Sequence, residues 1–265
     1  MKKALVAVSF GTGYIQTRQK TIEAIEEDLK KEFPERIFYR AWTSAFLRRK
    51  VLENEQLQIG SLDDILREIH DEGIRDVLIQ PTQMADGREF KEIRKQAALY
   101  AGSFETLSVG RPLLSREADI RDMAHVLEAL FDWIKKEDML VFMGHGSAEM
   151  DANPYRQLDA CFREDGFAHF TVGTAEFEPG FSPVMNRARE RNPVRIYLSP
   201  LMVVAGDHAL HDMNGEKEES WASRFSRAGY ETESILKGMG EYRPVRAMYV
   251  QHAKEAVCLQ EDYEQ

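Results

Sequence analysis

Residues 139–147 have the sequence MLVFMGHGS, and residues 3–12 have the sequence KALVAVSFGT. Each stretch is a short apolar run that ends in a loop containing glycine. Because apolar and polar residues do not alternate along the run, both stretches predict strands that are buried on both faces, as in a parallel sheet. The same pattern, a buried strand followed by a loop that contains glycine, therefore occurs twice in the chain.

Six further apolar runs complete two sets of four predicted strands. The first set is Lys3–Ser9, Arg36–Thr43, Asp76–Gln80 and Thr106–Gly110. The second set is Met139–Gly144, His169–Gly173, Val194–Ser199 and Glu231–Ile235. The intervening segments have apolar residues at helical spacing, so strands and helices alternate. This alternation predicts doubly wound α/β architecture.

A second pair of matching segments supports internal duplication. VLIQP ends at Pro81 and IYLSP ends at Pro200; Glu89 and His208 each stand eight residues further on. We expect two similar domains, each with a four-stranded parallel sheet flanked by helices, related by a pseudo-twofold axis. The predicted domains are residues 1–125 and 126–265, with a last helix near 244–258 that packs back on the first domain.

Composition excludes several classes of protein. The 265 residues are 43% hydrophobic, which predicts packed domains, and the net charge of −10 argues against non-specific nucleic-acid binding. No apolar run approaches the roughly 18 residues needed to cross a membrane, and the N-terminal run predicts a buried strand and not a signal peptide. Cys161 and Cys258 form no CxxC pair. We expect reduced cysteines and a cytoplasmic protein.

Candidate functional residues follow the predicted strands, where parallel sheets bind ligands. His145 stands between two glycines, and glycine lets the backbone approach a ligand closely. His208 is followed by His211 and Asp212, and either Asp207 or Asp212 is placed to orient an imidazole.

Two imidazoles with one carboxylate suit Co²⁺, Ni²⁺, Fe²⁺ or Zn²⁺, and a histidine near neutral pH also serves as a base. We expect Glu176 to supply the carboxylate, with Glu89 as the alternative or auxiliary acid. Other motifs are incomplete: Gln16 replaces the third glycine of a dinucleotide fingerprint, and there is no phosphate-binding Walker lysine.

Four segments together resemble the cobalt chelatases of anaerobic cobalamin synthesis, the CbiK type. They are KKALVAVSFGT, FMGHG, PLMVVAGDHALHDM and GMGE…VRAMYVQH, and they extend from the first strand to the last helix. The resemblance implies a class II chelatase fold with a cleft between two domains, and sirohydrochlorin and Co²⁺ as substrates. It also implies that His145 is catalytic base and metal ligand, that His208 and Glu176 are metal ligands, and that Glu89 is a second catalytic acid.

Other expectations concern the partners. Loop residues Ser9, Gly11 and Thr12 are expected to contact the tetrapyrrole, whose peripheral carboxylates suit loop amides and basic side chains. We expect no permanently bound cofactor, Co²⁺ being a substrate, and neither nucleic acid nor membrane as a partner. A homo-oligomer remains open. The alternatives are a ferrochelatase or nickel-chelatase, or a binding protein for metal or tetrapyrrole that has no catalytic activity.

Overall fold

The computed structural model describes residues 2–146 and 153–262. In chain order, the strands are β1 (Lys3–Ser9), β2 (Arg36–Trp42), β3 (Asp76–Pro81), β4 (Thr106–Val109), β5 (Met139–Gly144), β6 (Phe170–Thr174), β7 (Arg195–Leu201), β8 (Glu231–Ser234) and β9 (Val257–Cys258). The helices are α1 (Ile15–Lys20), α2 (Ile22–Glu32), α3 (Ala45–Glu55), α4 (Leu62–Asp71), α5 (Arg88–Ala98), α6 (Glu117–Leu130), α7 (Pro154–Glu164), α8 (Phe181–Arg191), α9 (Trp221–Arg227), α10 (Arg243–Lys254) and α11 (Leu259–Asp262). Strands and helices alternate, which confirms the predicted α/β class.

The chain divides into two compact units. Unit 1 contains Met1–Leu113 and Arg243–Gln265, and unit 2 contains Leu114–Tyr242. The boundary lies before α6, whereas the sequence suggested residue 125, because α6 packs against α7 of unit 2. Helix α10 belongs to unit 1, where it packs against α2 and β3.

The sheet of unit 1 has the strand order β2-β1-β3-β4-β9. Strands β1 to β4 are parallel, and residues 4–9 of β1 are buried, as the continuous apolar run predicted. Helix α4 begins at a capping box in which Ser61 and Asp64 satisfy each other's backbone N–H groups. Its apolar residues Leu62, Ile65, Leu66 and Ile69 are buried in the core of this unit.

Strand β9 corrects the expectation of four strands per sheet. The predicted last helix extended to Cys258, but α10 ends at Lys254, and Val257–Cys258 pairs antiparallel with β4. Two residues are too few to give a strand pattern, so only the neighbouring edge of β4 defines this strand.

The sheet of unit 2 has the strand order β6-β5-β7-β8, and all its pairs are parallel. This is the same order as β2-β1-β3-β4, as expected of duplicated domains. All six residues of β5 are buried. Helices α8 and α9 cover part of this sheet through buried residues that include Phe181, Val184 and Phe225.

An ion pair inside unit 2 ties β6 to two helices. Nη1 of Arg187 on α8 lies 3.0 and 3.1 Å from the two carboxylate oxygens of Asp159 on α7. Oδ1 of Asp159 also accepts hydrogen bonds from the Thr171 hydroxyl and the Val172 N–H on β6. These contacts fix the strand that leads into the loop of Glu176. Among the described residues, no helix has the length and apolar character required to cross a bilayer.

Candidate metal centre

His145 follows the last residue of β5, and its side chain is exposed. Its Nδ1 atom lies 2.9 Å from the carbonyl oxygen of Gly146. A carbonyl oxygen only accepts hydrogen bonds, so Nδ1 carries the proton in this contact. The Nε2 atom of the neutral ring is therefore the one with a free lone pair, which can bind a metal ion or accept a proton.

The two glycines beside His145 make room for other parts of unit 2. A Cβ atom on Gly144 would lie 2.4 Å from a ring atom of Tyr155. Gly146 has φ +89°, and a Cβ atom there would lie 1.9 Å from the carbonyl oxygen of Glu176. The sequence suggested that these glycines let a ligand approach. In the structure, they let a tyrosine ring and the neighbouring loop approach.

Tyr155 contacts the loop that contains His145. It is 2% exposed, and burial raises the pKa of its hydroxyl to about 12, although hydrogen bonds with the backbone of Gly146 and His145 act in the opposite direction. Its oxygen is thus a neutral, buried acceptor for backbone N–H groups. Sequence reasoning missed this residue, because a tyrosine on the apolar face of an amphipathic helix does not indicate which loop its ring will contact.

Glu176 lies on the loop after β6 and is exposed. Its backbone N–H donates to the carbonyl oxygen of His145 at 2.9 Å, and the N–H of Ala175 donates to Gly144 at 2.8 Å. The two loops therefore continue the parallel pairing of β5 and β6 beyond the strands. This pairing places the Glu176 side chain beside His145.

His208 is the first residue of a π-helical segment, His208–Met213, that follows β7. Its side chain is 31% exposed, and Nδ1 lies 2.5 Å from Oδ2 of Asp212. Asp212, and not Asp207, is thus the carboxylate that orients this imidazole; Asp207 lies 3.8 Å from His211. Because the Asp212 carboxylate accepts a hydrogen bond from Nδ1, the Nε2 atom of His208 keeps the lone pair that can bind a metal ion.

The structure brings His145, Glu176 and His208 together. One ligand atom from each, a ring nitrogen or a carboxylate oxygen, lies within 4.8 Å of the other two. The two imidazole rings are perpendicular, with centroids 4.7 Å apart. Two nitrogens and one oxygen suit borderline divalent ions, and three protein ligands leave coordination positions open for water or a substrate. All three residues belong to unit 2.

A family model described as cobalt chelatase (CbiK) matches residues 3–258. The chain belongs to the cobalt chelatase (CbiK) family. It is 35% identical over 259 residues to a sirohydrochlorin cobaltochelatase of Salmonella typhimurium, and the match covers 98% of each chain. It is 28% identical over 264 residues to the sirohydrochlorin cobaltochelatase CbiKC of Nitratidesulfovibrio vulgaris, covering 98% of this chain and 93% of that one.

Among solved structures, the fold is similar to that of SirB from Bacillus subtilis with Fe³⁺. The TM-score is 0.64 at 14% sequence identity, and the match covers 96% of this chain and 95% of SirB. This likeness shows a shared fold. The match to SirB includes residues of both units of this CbiK-family chain.

Other predicted site residues of this CbiK-family chain lie in unit 1. Glu89 is in the first turn of α5 and is exposed; it is not a member of the three-residue group. Ser9 is 1% exposed and its hydroxyl accepts a hydrogen bond from Thr82, while Thr12 is 5% exposed and its hydroxyl accepts from the Tyr14 N–H.

The Ser9–Thr12 loop thus presents a different side chain from those expected. Gly11 has φ +101°, and a Cβ atom there would lie 2.5 Å from the Trp42 ring. Phe10, between the buried residues, is 50% exposed. Sequence reasoning considered the polar residues of this loop and missed Phe10, although a large apolar residue directly after a strand was the available signal.

Proposed function

We propose that this protein is a sirohydrochlorin cobaltochelatase, which inserts Co²⁺ into the tetrapyrrole with loss of two pyrrole protons, as a step of anaerobic cobalamin synthesis. The observation that carries the proposal is the grouping of His145, Glu176 and His208 within 4.8 Å at the ends of three adjacent strands. Family membership and the names of the relatives support the substrate and the metal.

The first task of the centre is to hold the metal substrate. In our proposal, Nε2 of His145, Nε2 of His208 and a carboxylate oxygen of Glu176 bind Co²⁺. The hydrogen bonds at both Nδ1 atoms fix the ring orientations before the ion arrives. A single carboxylate leaves the bound ion with net positive charge, so the ion keeps its attraction for the anionic macrocycle.

The second task is to remove protons from the pyrrole nitrogens. We propose that His145 accepts a pyrrole proton through Nε2 as the metal leaves the protein ligands for the ring. The side chain is exposed, so it can pass that proton to water. A positioned base of this kind contributes roughly 10²- to 10⁴-fold to a rate. We also propose that the carboxylate of Glu89, the second acidic residue of the scheme, accepts the other pyrrole proton.

Apolar residues next to the ligands in the chain support binding of a flat macrocycle. Phe177, which follows Glu176, is 54% exposed, and Val203 and Val204, which lie on the loop between β7 and His208, are partly exposed. We propose that they contact the ring face, and that the loop Ser9–Thr12, including Gly11, contacts the ring periphery. No resident cofactor is required in this scheme.

The proposal also places the reaction in the cytoplasm. Cys161 and Cys258 take part in no disulfide, which supports a reducing compartment.

The test is an insertion assay with purified protein, sirohydrochlorin and Co²⁺, Ni²⁺ or Fe²⁺ in separate reactions, followed by the visible spectrum. We expect repeated turnover that is fastest with Co²⁺. His145→Ala should abolish insertion, whereas the matched variant His211→Ala, which removes an exposed imidazole outside the group, should retain it. Faster turnover with Ni²⁺ or Fe²⁺ would reassign the metal, and product limited to one per chain would indicate a carrier.

A further inference from the structure

A second group of metal-ligating side chains lies elsewhere in unit 2. His125 and Glu128 are on α6, three residues apart, and Asp165 is the C-cap residue that follows α7. One ligand atom from each lies within 4.8 Å of the other two. Nothing in the proposed chelatase reaction uses these residues.

Glu128 is the unusual member of the group. Residues Ile120, Ala124 and Leu127 form the buried face of α6, and Glu128 shares that face. It is 7% exposed, and its Oε1 atom is buried without a hydrogen-bond partner. Among the described residues, it forms no ion pair with lysine or arginine. A buried carboxylate without a positive partner is costly, so this side chain requires either a proton or a cation.

Burial and the neighbouring charges both affect the pKa of Glu128. Burial raises the pKa of Glu128, the Asp165 carboxylate raises it further, and His125 acts in the opposite direction. A cation would relieve both of the first two effects. The site is also near two helix ends: Glu128 is in the last turn of α6, and Asp165 is the residue that caps α7. Partial negative charge at both ends favours a cation.

The distance between His125 and Asp165 fits two ligands of one metal ion better than a hydrogen bond. Nε2 of His125 lies 3.5 Å from Oδ2 of Asp165. For metal–ligand bonds of about 2.1 Å, two ligands of a tetrahedral ion are about 3.4 Å apart. The other oxygen of Asp165 faces Arg121 at 3.7 Å, which holds the carboxylate in this orientation. His125 is 57% exposed, so the site is open to solvent on one side.

We propose that His125, Glu128 and Asp165 bind a second divalent cation, of the borderline class that accepts imidazole nitrogen and carboxylate oxygen, with water in the remaining positions. The two carboxylates supply two negative charges toward a divalent ion, and the imidazole supplies a neutral nitrogen ligand. The ion ties the C-terminal part of α6 to the end of α7. This site is separate from the proposed chelatase centre and does not depend on that proposal.

The test counts bound ions by equilibrium dialysis with Co²⁺ alone and with Zn²⁺ alone, followed by metal analysis. We expect two ions per chain in the wild type and one in His145→Ala/His208→Ala. Adding Glu128→Gln to that double variant should remove the remaining ion. Gln has nearly the volume of Glu and needs no counter-charge, so this variant is expected to fold. His70→Ala is the matched control, because His70 and Asp71 also form an exposed pair, at 3.7 Å, without a buried glutamate.

Retention of the ion by His145→Ala/His208→Ala/Glu128→Gln, or absence of any ion from His145→Ala/His208→Ala, would overturn the proposal. If the double variant does not fold, the single variants Glu128→Gln and Asp165→Asn in the wild-type chain must each lower the number of bound ions per chain by one. Insertion of Co²⁺ into sirohydrochlorin, measured on the same samples, reports the chelatase proposal separately, since a chain without that activity can still bind the second ion.

Discussion

Nδ1 of His208 lies 2.5 Å from Oδ2 of Asp212, within the π-helical segment that follows β7. The contact holds the imidazole in one orientation and leaves Nε2 for the metal. A second pair, formed by His211 in the segment and Asp207 directly before it, lies at 3.8 Å and is outside the three-residue group. The second pair therefore serves as a control for the first.

Asp212→Asn should weaken Co²⁺ binding about 10- to 100-fold, because the carboxylate that orients His208 and increases its basicity is lost. Titration calorimetry with Co²⁺, in the background Glu128→Gln to remove the second proposed ion, measures the change. Asp207→Asn should leave the affinity within the error of the wild type. Equal losses in the two variants would contradict the assigned role of Asp212.

Gly146→Ala should abolish Co²⁺ binding at the centre. The added Cβ atom would lie 1.9 Å from the Glu176 carbonyl oxygen, so the two ligand loops must separate. The positive φ alone costs about 1–2 kcal/mol. Gly229→Ala isolates that cost, because Gly229 has φ +90° and its Cβ atom would meet nothing within 4 Å.

Melting temperatures and Co²⁺ titrations of both glycine variants are the measurements. Gly229→Ala should lower the melting temperature and retain ion binding. Full ion binding by Gly146→Ala would show that the contact between the loops is not needed for the centre.

Glu176→Gln and Glu89→Gln should separate two roles for carboxylates. Glu176→Gln removes the charged oxygen ligand, so Co²⁺ binding and insertion should both fall by at least about tenfold. Glu89 lies outside the group of ligands, so Glu89→Gln should retain Co²⁺ affinity while the insertion rate falls. Dialysis measures the affinity for Co²⁺, and the insertion assay measures the insertion rate. Unchanged insertion by Glu89→Gln would remove Glu89 from the mechanism.

The free energy of unfolding should fall as the pH is lowered through the range below about 6.5, with His169 as one cause. His169 is 4% exposed; burial lowers its pKa, and Arg191 and Lys136 lower it further, while a hydrogen bond with the Ile134 backbone and the charge of Asp138 raise it. The unfolded chain therefore takes up the proton first as the pH drops. Stability is fully present above the unfolded pKa and is lost as the pH falls toward the folded pKa.

His169→Gln should reduce this pH dependence, since Gln does not titrate and keeps an N–H donor for the Ile134 carbonyl. Urea unfolding at pH 7.5, 6.5 and 5.5 measures the free energy of unfolding at each pH and so gives its pH dependence. His211→Gln, at an exposed position, is the control and should keep the wild-type slope. A slope for His169→Gln equal to that of the wild type would exclude a contribution from His169.

Much of the fold follows from local sequence because the central strands are buried on both faces. All eight strands β1 to β8 lie within a few residues of their predicted positions, and continuous apolar runs such as Met139–Gly144 are typical of buried parallel strands. Strand β9 could not be predicted, because two residues become a strand only through pairing with β4.

Only part of the candidate site was predictable from the sequence. His145, Glu176 and His208 each follow a strand, and the carboxyl ends of parallel strands meet at one edge. The choice between Asp207 and Asp212 was not predictable, since it depends on the register of a π-helical segment. Burial of Ser9 and Thr12 depends on contacts with Thr82 and Tyr14 that their own loop sequence does not reveal.

Unit 1 is assembled from two separated parts of the chain. Tyr249 on α10 donates to the carbonyl oxygen of Thr82, Arg246 binds Asp28, and Leu259 is buried among the core residues of the sheet. During synthesis on the ribosome, residues 114–242 emerge complete before the amino-terminal unit has all of its pieces. Unit 2 can therefore acquire its native structure first, and unit 1 must wait until residues 243–259 have been translated.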